Sequence, residues 1–202
     1  MAKKNTEKTV THIPNTNVKK GNYSAEESAQ RLLTSCWHAS PGNKEVTIFP
    51  VDSVQIAKKL DLHVISFAHY IEGIGSDVSS FLVPNKDEQP TIWLRNSESD
   101  NRKRLNVAYL LGYFMIQLNE GLLNEDFYYE IKRGQTFSTP DEIFVKDFAL
   151  ELLMPKQIFK VKAGENLNPT TQEPDPIHLA QYFQVSLEAV LMRIKLLSAT
   201  AK

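Results

Sequence analysis

Apolar residues first fall at helical spacing in Ala25, Ala29, Leu32, Leu33 and Cys36, directly behind Ser24-Ala-Glu-Glu27. A hydroxyl residue followed three positions later by Glu satisfies two otherwise orphaned amides at a helix start, so a helix is expected from there to about His38. A loop with Pro41-Gly42 and a short apolar run, residues 46–49, come next. Pro50-Val-Asp52 opens a second helix whose Ile56, Ala57 and Leu60 face inward. Residues 62–67, 81–83 and 91–94 are short β-branched and aromatic runs and read as strands. The polar turn 85–89 separates the last two, and Gly73 and Gly75 mark residues 71–79 as a loop.

The second half is dominated by helices. From Glu98 to about Asn119 the first turns are polar, and from Leu105 to Leu118 the chain is apolar nearly all round, which places that helix at the centre of the core. Residues 126–133 read as an aromatic-rich connection and 135–139 as a polar loop. Pro140-Asp-Glu142 begins a further helix carrying Ile143, Val145, Phe148, Ala149, Leu152 and Leu153 and ending near Pro155. Prolines and Gly164 mark residues 163–176 as a linker. A two-part helical segment, 177–202, closes the chain, with Ser186 capping its second helix. The organisation expected is an arm over 1–22, one α+β domain over 23–162, the linker, and that C-terminal helical hairpin.

Composition changes this picture little. Hydrophobic residues make up 42% of the 202 positions and charged ones 23%, as in ordinary globular proteins. A net charge of −1 argues against direct nucleic-acid binding. The C-terminal hairpin is shaped like a short helix-turn-helix, yet its second helix opens with Glu188 and offers only Arg193 and Lys195 as bases. The single cysteine, Cys36, excludes an internal disulfide and a cysteine zinc site. The polar N-terminal arm has no secretory signal pattern, and no apolar run is long enough for a membrane span, so a cytoplasmic location is expected.

Candidate chemistry sits in Arg102-Lys-Arg-Leu-Asn-Val-Ala-Tyr-Leu-Leu-Gly-Tyr113 and Glu142-Ile-Phe-Val-Lys-Asp-Phe-Ala-Leu-Glu-Leu-Leu-Met-Pro155. With Pro50-Val-Asp-Ser-Val-Gln-Ile-Ala-Lys-Lys-Leu60 before them and Phe183-Gln-Val-Ser-Leu-Glu-Ala-Val-Leu-Met-Arg193 after, these blocks resemble the ImmA/IrrE family of zinc peptidase-like proteins over most of residues 24–197. The resemblance implies a zincin-like fold. Members usually read Arg-x-Arg-Phe-Thr-x-Ala-His-Glu-Leu-Gly-His in the first block and Glu-x-x-Ala-Asn-x-Phe-Ala-x-x-Leu-Leu-Met-Pro in the second. Two imidazoles four apart share a helix face and grip zinc, a later Glu completes the site, and the Glu beside the first His activates water. Here the corresponding positions are Tyr109, Leu110 and Tyr113, and of the ligand set only Glu142 remains. Val145 and Lys146 replace the usual Ala-Asn pair. Gly112 is kept, with close packing of the helix on the sheet as its expected role.

No catalytic residue, metal or cofactor is therefore assigned from the sequence. His63 and His69 lie six apart outside any helix, and His12, His38 and His178 fall away from the matched core or on its surface. Phenol is a poor zinc ligand at neutral pH. Two readings of Glu142 stay open: a hydrogen bond from Tyr109 or Tyr113 across the vacated site, or an acid at a helix N-terminus favoured by the macrodipole. The resemblance implies a protein partner, with a helix-turn-helix repressor of a phage or mobile element as the candidate, because active relatives inactivate such repressors by cleavage. The alternatives are a peptidase with rewired metal ligands, or another hydrolase using Glu142, Asp141 or His63.

Overall fold

A computed structural model of the chain describes residues 23–37, 49–68, 71–84, 89–122, 127–168 and 171–199. The expected arm, the Pro41-Gly42 loop, most of the 46–49 run and of the 85–89 turn, and His12, His38 and His69 lie outside these residues. The elements are α1 (Ala25–Leu32), continued by a π-helical turn (Leu33–Trp37), α2 (Ser53–Lys59), β1 (His63–Phe67), β2 (Val78–Val83), β3 (Thr91–Arg95), α3 (Asp100–Glu120), β4 (Tyr129–Lys132), α4 (Pro140–Leu153), α5 (Lys156–Glu165), α6 (Pro176–Phe183) and α7 (Leu187–Ala199). The α+β class read from the sequence is the class observed.

The helix starts follow local chemistry. Ser24 and Glu27 form the reciprocal capping box, with the Ser24 amide donating to Glu27 Oε2 at 2.9 Å. Asp52 accepts the amides of Val54 and Gln55 at the head of α2. Gly121, at φ 74°, ends α3 in the left-handed region that glycine adopts without a Cβ penalty.

Helix α3 is the axis of the core. Every residue from Leu105 to Met115 is buried. At Gly112 its backbone runs directly against α4: an added Cβ would lie 3.1 Å from Val145 Cα and 3.2 Å from Phe148 Cδ1. The close approach expected of this glycine is real, but its neighbour is a helix, not the sheet.

The sheet has four strands in the order β1-β3-β2-β4, with β1 and β3 parallel and the other pairs antiparallel. About three strands were expected. The fourth, β4, lies in the segment read as a connection, and β2 begins at Val78, inside the segment read as loop. A bulge near Ser79 turns its hydroxyl toward α3, where it accepts from Asn106 Nδ2 at 3.0 Å and donates to the Ile131 carbonyl at 2.9 Å. This bond pair ties β2, β4 and α3 together inside the core. The opposite sheet face is covered by Phe67, Val78 and Phe81 with Ile71, Ile74 and Trp93.

Helix α5 was not anticipated, and it takes in residues 163–165 at the start of the expected linker. Leu167 and Pro174 then form a bridge that brings the chain back to α6. The C-terminal helices share the main core: Leu179, Phe183, Val185, Ala189 and Val190 are buried in the same cluster as α3 and α4. Arg104 donates through Nη2 to the Phe183 carbonyl at 2.7 Å, closing the end of α6. Arg193 of α7 pairs with Glu151 of α4, both side chains being 3% exposed. Glu151 also accepts the Lys156 amide at the start of α5, so one carboxylate joins three helices.

Two stability outcomes follow. Gly112→Ala gains helix propensity but overpacks the α3–α4 contact, and the net expected cost is about 1–2 kcal/mol in a denaturant titration. Arg193→Met strands Glu151 in the core and should cost about 3–5 kcal/mol, whereas adding Glu151→Leu should recover much of that loss. A double variant no more stable than the single one would contradict the role given to the pair.

Candidate functional site

Tyr109 and Tyr113 stand four apart in the middle of α3 and share a face. Tyr109 is 2% exposed and its ring lies 4.9 Å from that of Phe137, in the loop before α4. Tyr113 is 7% exposed and stacks on Tyr129 at 4.3 Å with 10° between the planes. The Tyr129 hydroxyl accepts from Gln117 Nε2, one further turn along α3. Leu110, between the tyrosines, is completely buried and has no group that could carry a proton.

Burial makes both phenols weaker acids. Tyr113 is pushed up to about 12, first by burial and then by the charges of Glu142, Tyr129 and Asp141. Tyr109 is also raised, chiefly by burial, with Arg102 opposing and Glu188 reinforcing the shift. Both are neutral hydroxyls at physiological pH.

Glu142 is the third residue of α4 and closes its capping box with Thr139. Its Oε2 accepts the amides of Ser138 and Thr139 at 2.9 Å each and the Ser138 hydroxyl at 3.2 Å. In return the Glu142 amide donates to Thr139 Oγ1 at 3.3 Å. These bonds hold its carboxyl down at about 2. Among the described residues no hydrogen bond joins either tyrosine to Glu142. Pro140-Asp-Glu142 was legible as a helix start, with Thr139 read as loop, and the carboxylate does the work of that start.

Other candidates do not converge here. His63 is exposed at the beginning of β1, and His178 on α6 pairs with Asp175 at 2.9 Å. Asp141 is exposed on α4, while Val145 is buried against Gly112 and Lys146 pairs with Asp147. Tyr129 and Phe137 belong to the site but were not singled out from sequence. The alternation of Tyr129 and Ile131 inward with Tyr128 and Glu130 outward was the signal available for β4.

A long central helix crossed by a second helix beneath a small mixed sheet defines the zincin-like class. The sequence profile of the IrrE N-terminal-like domain family matches residues 58–195, and the chain belongs to that family. No curated protein matches it. Zinc is the metal such a fold implies, and the donor set here does not fit it. Two buried neutral phenols would have to ionise, the residue beside the first is Leu110, and Glu142 Oε2 is already committed to three donors. Among the described residues no group of three or more His, Cys, Asp or Glu is placed to hold a metal.

The capping role has a pH signature. A carboxyl held at about 2 in the folded chain, against 4.5 ordinarily, stabilises the fold above the ordinary value and loses that contribution as pH falls from there toward 2. Glu142→Gln, whose amide can still reach the cap, should therefore show a smaller fall in Tm between pH 4.5 and 2 than the wild type. Parallel Tm curves across that window would contradict the assignment.

Proposed function

We propose that this chain is a catalytically degenerate member of the family that works by holding another protein. The observation that carries this reading is the burial of Tyr109, Leu110 and Tyr113 as core side chains at the positions where relatives place His, Glu and His. Aromatic volume fills the space, each hydroxyl stays protonated, and Leu110 supplies no base beside the first of them. The surrounding frame is intact, from the Arg104 clasp on α6 to the Gly112 contact with α4, within the stretch that matches the family. A scaffold retained without its hydrolytic groups is suited to recognition.

The partner class rests on the family: a helix-turn-helix repressor of a phage or mobile element, in the cytoplasm of a bacterial host. Bound by such a chain, the repressor would be masked from DNA, from its own dimer partner or from an active peptidase. Direct DNA binding is disfavoured by the net charge of −1 and by the burial of Arg193 against Glu151.

The test is to capture partners on the tagged full-length chain from a native lysate and follow their size. A helix-turn-helix regulator recovered at full length supports the proposal. Chelator-sensitive cleavage of that regulator by the purified chain would overturn it and restore the reading of a peptidase with rewired ligands.

A further inference from the structure

The outer side of α7 is apolar where a surface helix is ordinarily polar. Ala189, Val190 and Arg193 turn into the core. On the opposite side Leu187 and Leu191 are 46% and 50% exposed, and the half-buried Ile194 continues their row at helical spacing. Ile177 of α6, 58% exposed, adjoins this row. It shares with Leu187 a groove of about 320 Å³ whose other walls include Asn101, Gln181 and Gln184, with no charged side chain in the lining. A continuous apolar surface of this kind, unlike single scattered residues, marks an interaction face. Two charges flank the row. Glu188 and Lys195 are both exposed, and among the described residues neither takes part in an ion pair. Seven residues apart, they stand on one edge of the helix.

We infer that the outer face of α7 docks on the same face of a second copy of this chain, as an antiparallel pair about a twofold axis at Leu191. The charges select this occupant and this direction. Glu188 lies three residues before Leu191 and Lys195 four after it. In an antiparallel pair the same edge of both helices meets, so each Glu188 comes level with the second copy's Lys195, within one residue or about 1.5 Å along the axis. A parallel pair would set Glu188 against Glu188 instead. Leu191 packs on its counterpart at the centre, and two ion pairs close the flanks. The small residues Ser198 and Ala199 at the end of α7 leave room for Leu187 and Ile177 of the other copy. A net charge of −1 gives the two copies little reason to repel each other. The inference goes beyond the binding role proposed above and does not depend on it.

Sedimentation equilibrium of the purified full-length chain over a concentration series reads the mass directly. The wild type should approach twice the chain mass as concentration rises. Leu191→Glu changes a half-exposed side chain outside the core, so it should keep its circular dichroism spectrum and stay at the mass of one chain. Glu188→Lys and Lys195→Glu should each weaken association about tenfold, because each turns two attractions into repulsions, and the two together should restore it. A wild type that stays at the mass of one chain would overturn the inference. So would a dimer that survives Leu191→Glu, or single charge reversals that the double swap does not rescue. A monomeric chain whose capture of a repressor is lost in Leu191→Glu would also overturn it, and would assign the face to that protein.

Discussion

The contact between α3 and α4 at Gly112 sets the geometry of everything else. The missing side chain lets Val145 and Phe148 come within ordinary contact of the α3 backbone. That approach sinks α3 deep enough for an unbroken stretch, Leu105 to Met115, to be buried, with α4 on one side and the sheet on another. A helix buried all round has no solvated face, so every polar group on it needs an internal partner or a low-cost neutral form. Asn106 Nδ2 finds one in Ser79, while its buried Oδ1 has no partner among the described residues. The tyrosines meet the demand by remaining neutral.

This environment keeps the phenols at the central positions protonated. An ionised tyrosine here would be charged and poorly solvated, and burial moves its acidity away from neutral pH. Glu142 is pulled the other way by three hydrogen bonds at the head of α4. Carboxylate and phenols therefore sit at opposite extremes of protonation.

Much of the fold was legible because its signals are local. Ser24, Asp52 and Ser186 mark helix starts by the bonds they make, and the apolar density of α3 marks the core. The site positions Tyr109, Leu110, Tyr113 and Glu142 were located through the resemblance of the two blocks to the family's usual motifs. What stayed hidden depends on contacts distant in sequence. Strand β4 is only four residues long and exists because β2 supplies its hydrogen bonds. Helix α5 starts immediately after Pro155, where Glu151, whose own carboxylate is fixed by Arg193 from α7, accepts its first amide. The stacking of Tyr129 on Tyr113 was invisible for the same reason, since it needs β4 in place. Gly112 gave a correct signal of close approach without saying to what.

We propose that the tyrosine-filled interior has given up the metal chemistry of its fold. Zinc titration of the purified full-length chain, with elemental analysis after dialysis, is the decisive experiment. Zinc should be lost on dialysis and should leave the tyrosine absorbance unchanged. Retention of about one zinc per chain, with a phenolate signal appearing as it binds, would show that the site still holds metal.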